Sequence, residues 1–292
     1  MDLAADFARF SWSGGTEALG PTAAECIRMA DEGGCSAIAA MDHFFQIPMI
    51  GPHDEPMLDG YTFLGFAAGH SERAKLQLLV TGVTYRHPGL LAKIVTTLDV
   101  LSGGRARLGI GAAWNEQEHV GLGVPFPSTS ERFERLDECL AICRQMWSDD
   151  NGPYEGVHYQ LAETLNSPQN LTRPHPEIMV GGMGPKKTLR IAARHAQAVN
   201  WFPIGEEGFA GLCTTLAQHC ADEGTDVEAI RITLTAFAPR TGERSEIDSF
   251  LADMETYRRL GVSEVFVAPA QDDPRRDIEL WVTELVPRLA SL

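Results

Sequence analysis

The chain has 292 residues, 44% of them hydrophobic and without a low-complexity tract, so it is long enough to bury a full core. It carries 40 acidic against 24 basic residues, a net charge of −16, which repels nucleic acid and anionic lipid and excludes both as partners. No apolar run approaches the length that spans a bilayer, and the N-terminus lacks the basic-then-apolar form of a secretory signal, so a cytoplasmic protein acting on a small molecule is expected.

In chain order, strands are expected near Ala5 to Phe10, Ala37 to Met41, Leu76 to Thr81, Arg107 to Ile110, Ile178 to Val180, Ala198 to Trp201, Ile232 to Phe237 and Glu264 to Val267. Leu91, Ile94, Val95, Leu98 and Leu101 recur at helical spacing after Pro88, which predicts a helix over 88–101 that stops at Gly103. Phe133, Leu136, Leu140, Cys143 and Trp147 predict another over 130–147, with Ser128 and Glu131 as a capping box. The six cysteines, at 26, 35, 139, 143, 213 and 220, form no C-x-x-C pair. They read as thiols of a reducing compartment, and Cys139 and Cys143, one turn apart, as packed core. Residues 149–173 are too long and irregular for an ordinary connection and read as an insertion after the fourth helix, with a lid as one use for it. Eight strands alternating with helices imply parallel pairing and favour a single closed (β/α)8 barrel over 1–292; a doubly wound open sheet is the alternative, because the first strand is poorly patterned.

Chemistry-bearing residues gather after these strands. Asp42 and His43 follow the second, Thr81, Gly82 and Val83 close the third, Ala112 to Glu118 follow the fourth, Gly181 to Gly184 the fifth, and Asn200 and Trp201 close the sixth. In a barrel these ends share one face, where such folds build active sites. The segment VGGMGPKKTLRIAARHA, residues 180–196, adds a ligand preference. Pro185 suits a first helical turn and Gly184 its cap, while Gly181 and Gly182 let backbone approach a ligand closely. Free amides at a helix start form an anion seat, and Lys186 and Lys187 oppose the helix dipole unless a bound negative charge offsets them. The segment lacks the Gly-Lys-Ser/Thr of a Walker A loop.

Two other matches are set aside. GIGAAW, residues 109–114, opens like a dinucleotide fingerprint, but Trp114 stands where close packing needs glycine. Glu116 and His119 have the E-x-x-H spacing of di-iron helices, but no second pair exists, and no metal site is expected.

The stretches MDHFFQIP, TGVTYRHPGLLAKIVTTLDVLSGGRARLGIGAAWNEQEHVGLGVPF, SERFERLDECLAICRQMW and IMVGGMGPKKTLRIAARHAQAVNWF resemble the luciferase-like monooxygenase superfamily, and within it the oxidoreductases that use the deazaflavin coenzyme F420. The resemblance covers about residues 5–240, and the block from Thr81 to Phe126 is its most specific part. It implies a barrel that holds a flavin or deazaflavin at its C-terminal face, in a homodimer. It places Asp42 and His43 beside the ring and makes Gly82-Val83 the bulge behind it, often a cis peptide. It further implies that Thr81, Ala112 and Asn115 border the coenzyme, and that Gly181, Gly182, Met183 and Gly184 seat its phosphate.

The sugar-phosphate dehydrogenases of that family carry a glutamate just after the fourth strand and a tryptophan after the Asp-His pair. Ala112-Ala113 and Phe44-Phe45-Gln46 stand there instead, which argues against that substrate. Glu116 is then the expected replacement acid, with Glu118 a solvated loop residue. The expected mechanism is hydride transfer between the deazaflavin and a small organic substrate. His43, oriented by Asp42, moves a proton, because an imidazole titrates near neutrality, and Phe44, Phe45 and Trp114 exclude water. An FMN-dependent monooxygenase and a non-catalytic coenzyme-binding protein are the alternatives on the same fold.

Overall fold

Runs of small and branched apolar residues that are buried on both faces make the strands, and longer amphipathic stretches make the helices between them. A computed structural model describes residues 1–292. The elements are β1 (Asp2–Phe7), α1 (Gly15–Glu32), β2 (Ala37–Ala40), α2 (Gly60–Ala68), β3 (Lys75–Leu78), β4 (Thr81–Gly82), α3 (Pro88–Leu101), β5 (Arg107–Gly111), α4 (Glu116–Leu122) and α5 (Thr129–Met146). They continue with β6 (Tyr154–Glu155), β7 (Gln160–Leu161), β8 (Glu177–Gly181), α6 (Thr188–His195), β9 (Ala198–Trp201), α7 (Glu206–Glu223), β10 (Arg231–Ala236), α8 (Arg244–Arg259), β11 (Val262–Val267), α9 (Pro274–Leu280) and α10 (Val286–Ala290).

Nine strands pair in parallel in the order β3-β2-β1-β11-β10-β9-β8-β5-β4. β3 and β4 are two halves of one barrel position, separated by Leu79 and Val80, whose shared peptide bond is cis. The upper half pairs with β5 through Thr81 and Gly82, and the lower half meets the chain before β5 through a bridge between Leu76 and Ala106. The eight positions therefore close on themselves. An open doubly wound sheet is excluded, since the strands follow one another in chain order around the sheet, the last, β11, pairs with the first, β1, and the β3/β4 position closes on β5. β1 begins three residues before its expected start. Its apolar pattern is hidden because both faces are covered: Leu3, Ala5 and Phe7 join the main core under the helices, and Ala4 belongs to the barrel interior with Ala37, Ala39, Met179, Ala198 and Phe266.

The interior is layered. At the bottom Arg107 pairs with Glu264 at 3.0 Å and Glu177 at 3.2 Å, and Arg231 pairs with Glu177 at 2.8 Å, so charges close that end. Above them lies the layer of alanines, Met179 and Phe266, and above that the C-terminal mouth opens.

α3 spans the predicted residues with Pro88 in its first turn. α5 starts beside Ser128, whose hydroxyl accepts from the Glu131 amide at 3.3 Å. The Glu131 carboxylate turns instead to Arg135 at 2.6 Å, so only half of the expected capping box forms. The six cysteines are unpaired, and Cys139 and Cys143 lie in the core. Residues 149–173 carry the β6–β7 hairpin and lie along the flank of the barrel: Glu138 of α5 accepts from the Val157 and Tyr159 amides, Asn166 donates to Thr96 of α3, and Asp99 of α3 accepts from Leu171 and Thr172. Tied down on α3 and α5, this segment packs on the flank and does not take up the use as a lid. No helix is long and apolar enough to cross a membrane.

Candidate active site

The β2 strand delivers Asp42 and His43 to the mouth, but they face different partners. The Asp42 carboxylate is buried, accepts from the Gly82 amide at 3.0 Å and pairs with Arg86 at 2.6 Å. Arg86 also pairs with Asp59 at 3.1 Å and lies 4.7 Å from the centre of the Tyr61 ring, whose hydroxyl meets Thr81 Oγ1 at 2.8 Å. Burial pushes the Asp42 carboxyl up, while Arg86 and the Gly82 amide pull it back. Asp42 thus fastens the β2 loop to β4. It does not orient His43, as the sequence led us to expect.

That partner is Glu118. His43 Nδ1 lies 2.8 Å from Glu118 Oε2, and the glutamate also accepts from the Phe44 amide, from the Phe45 amide at 3.2 Å and from Asn115 Nδ2 at 3.2 Å. The side chain is fully buried. Burial alone would raise its carboxyl, but the His43 ring, the Phe44 amide and the Tyr85 hydroxyl together hold it below the ordinary carboxylate range. A carboxylate only accepts, so His43 Nδ1 carries a proton, and Nε2 makes no hydrogen bond within the chain.

The sequence choice between the two acids is therefore reversed. Glu116 is exposed and makes no side-chain hydrogen bond, whereas Glu118, two residues on, is the inward face of the short helix α4. The turn before α4 bends at Ala113, φ 59°, and Arg132 clamps it by donating to the Ala112 carbonyl at 3.1 Å. His119 is equally buried but fully occupied: its nitrogens meet Thr84 Oγ1 at 2.6 Å and the Asn115 carbonyl at 2.7 Å, and its ring stacks on Tyr85. No group of three or more His, Cys, Asp or Glu side chains is placed to hold a metal ion.

The cis peptide lies at Leu79–Val80, three residues before the expected Gly82-Val83 pair. Val83 is buried and bonded to the Gly111 carbonyl, while Val80 projects into the mouth. The sequence makes room for Val80 with glycines. A Cβ at Gly181 would come within 2.9 Å of its side chain, one at Gly111 within 3.1 Å, and one at Gly109 would strike the Leu78 carbonyl at 2.1 Å. Val80 and these glycines form a wall that sequence reasoning missed; Gly109 and Gly111 at alternate positions of β5 and Gly181 on the neighbouring β8 were the available signal.

Beyond the wall, Gly182 adopts φ +115°, and its amide is spent on the Asn200 carbonyl at 3.1 Å, which removes it from the expected set of free donors. The amides of Met183, Gly184, Lys186, Lys187 and Thr188 have no protein acceptor. α6 begins at Thr188, three residues after Pro185, because residues 185–187 form a separate turn; its first position has no side-chain cap. A cavity of about 350 Å³ lined by Phe133, Gly184, Pro185, Lys186, Lys187 and Thr188 opens there. Lys187 reaches across it to Ser130 Oγ at 3.0 Å, at the start of α5. His43, Glu118, Asn115, Thr81, Gly82, Ala112, Val80 and the 181–188 turn therefore lie at strand ends on one face of the barrel.

Known proteins share this frame. The chain is 32% identical over 197 residues to the F420-dependent glucose-6-phosphate dehydrogenase of Microbacterium testaceum, covering 65% of this chain and 55% of the relative. It is 27% identical over 168 residues to the FMNH(2)-dependent dimethylsulfone monooxygenase of Pseudomonas putida, covering 57% and 45%. The chain thus spans about half the length of the curated relatives it matches. Among solved structures, the coenzyme F420 dependent tetrahydromethanopterin reductase of Methanopyrus kandleri superposes with a TM-score of 0.79 at 17% identity, over 99% of this chain and 100% of that one, a likeness of fold. The family described as luciferase-like monooxygenase matches residues 6–273, nearly the whole barrel. With its strands, mouth and sequence in agreement, the chain belongs to the luciferase-like monooxygenase family, whose members bind flavin-type cofactors.

Proposed function

We propose that the protein is an oxidoreductase that transfers a hydride between the deazaflavin coenzyme F420 and a small uncharged organic substrate. The observation that carries this reading is the His43–Glu118 pair, its carboxylate fully buried, at the same strand-end mouth as Val80. The residues present fit such a coenzyme. Val80, seated over Gly111 and Gly181, presents an apolar surface that a planar ring can cover, and the unpartnered amides from Met183 to Thr188 suit a phosphate. When bound, the deazaflavin supplies two-electron hydride chemistry and not oxygen activation.

The chain's own residues do the rest. Glu118 keeps Nδ1 of His43 protonated and aims the ring, so Nε2 is free to take or give a proton as charge develops nearby. Phe44 packs edge-on to Tyr85, and the His43 ring meets Trp114 at 5.5 Å, which screens the imidazole from bulk water. Trp114, Phe202 and Phe237 stay exposed beyond the ends of β5, β9 and β10, an apolar collar suited to an uncharged substrate. Replacing His43 by Ala is expected to cut turnover by ~10²-fold or more with a loss of coenzyme affinity below ~10-fold; unchanged turnover removes His43 from the mechanism.

A second reading, an FMN-dependent monooxygenase, is favoured by the likeness to the Pseudomonas putida enzyme. Oxygen separates the two: turnover that continues without it supports hydride transfer, and turnover that stops without it supports the monooxygenase.

A further inference from the structure

Asp6 is the one ionisable residue of the barrel interior without a partner. It faces inward because β1 alternates: Ala4 lies with the interior alanines and Phe266, and Asp6 stands one inward step nearer the mouth, in register with Ala39 of β2. The carboxyl is 4% exposed, its Oδ1 has no hydrogen-bond partner, and no ion pair reaches it. Its niche is apolar. Ala4, Ala39 and Phe266 belong to its own layer or the one beneath, and Ala8, Met41 and Ala268 are the next inward positions of the same three strands toward the mouth.

Neighbouring polar groups satisfy one another and not Asp6. Asn200 donates to Thr233 at 3.0 Å and accepts from Thr235 at 2.9 Å. Gln77 turns to Met179, and Glu264, the nearest acid on β11, is held by Arg107 and Arg231 in the layer below. On the mouth side, the charged groups next to β2 are occupied too: Asp42 by Arg86 and His43 by Glu118. A carboxyl without a hydrogen-bond partner, its Oδ1 fully enclosed, has no structural partner to serve, and native interiors rarely retain one without use.

Building on the proposed function, we propose that Asp6 is a neutral carboxylic acid at the floor of the mouth that donates a hydrogen bond to a carbonyl oxygen or imine nitrogen of the substrate and gives up its proton there as the substrate is reduced. The balance is simple. A hydride from the reduced deazaflavin bonds to the substrate carbon, the π pair moves to the oxygen or nitrogen, and that atom takes the Asp6 proton, leaving a carboxylate that recovers a proton from solvent. The arrangement selects a neutral acceptor group and disfavours a carboxylate at the same position. Burial supports it, since it raises the Asp6 carboxyl from 3.8 to about 7 with no charge opposing the shift.

The test is a carbon-13 NMR titration of protein labelled at the aspartate carboxyl carbon, free and with oxidised F420 or FMN as the probe, in wild type and Asp6→Asn. One resonance, absent from the variant, is expected to titrate near 7 and to shift when either probe fills the mouth, with the variant's affinity for the probe within ~3-fold of wild type. Asp6→Ala provides the assignment should the amide variant not fold. A resonance that titrates near 4 overturns the proposal, and so does one that titrates near 7 but stays put when the mouth is filled, which marks a sealed core group. If F420 fails to bind while FMN binds, the coenzyme assignment falls and the Asp6 measurement still reads through FMN. If neither binds, the reading of the mouth and this proposal fall together.

Discussion

At Asp6 the fold works against the charge it encloses. The native carboxyl titrates at about 7 against 3.8 for an ordinary aspartate, so the native state holds the proton more tightly than the unfolded chain. The sign follows from that: stability is fully present below pH ~4 and is lost as pH rises through about 7. Asp6→Asn, which cannot ionise, is therefore expected to melt above wild type at pH 8 and level with it at pH 4, a gap of ~2–4 °C for each kcal/mol by scanning calorimetry. Equal melting points at pH 8 contradict the burial argument. Glu118 runs the other way, because its removal strands the Phe44 and Phe45 amides and the Asn115 amide group. Glu118→Ala is expected to lose ~1–3 kcal/mol in urea unfolding, whereas Glu116→Ala changes stability by less than ~0.5 kcal/mol. The choice between these two acids was not legible in the sequence. They sit two apart on one seven-residue helix, and only the direction of α4 against the β2 loop decides which faces inward.

Among the elements, the strand ends carry the design. β3 and β4 part at Leu79–Val80, and three glycines on β5 and β8 accept what that break projects. Gly181→Ala brings a methyl within 2.9 Å of Val80 and is expected to weaken coenzyme binding ~10-fold or more while the fold persists, measured by fluorescence titration beside circular dichroism; unaltered affinity removes the wall from the site. Most strands and both strong helices were legible because their apolar spacing is set by local geometry. α3 matches residue for residue, since Pro88 sets its start, and β9 does too. Long-range choices were not legible. The cis peptide falls before the glycine expected to mark it, α6 starts after Pro185 because 185–187 turn separately, and the 149–173 segment packs on α3 and α5 through Glu138 and Asp99, acids with no local sign of that duty.

At the scale of the molecule, one end of the barrel is sealed by the Arg107, Arg231, Glu177 and Glu264 network and the other is left open, so chemistry is confined to a single rim. That polarity brings residues as distant in sequence as His43, Val80, Glu118 and Gly181 to one mouth, where the proposed coenzyme would bind. Titration of the purified protein with oxidised F420 and, separately, with FMN, followed by intrinsic and coenzyme fluorescence, tests this most directly. Saturable one-to-one F420 binding that is weakened by Gly181→Ala and stronger than FMN binding is the predicted result. Tight FMN binding with no affinity for F420 would contradict it.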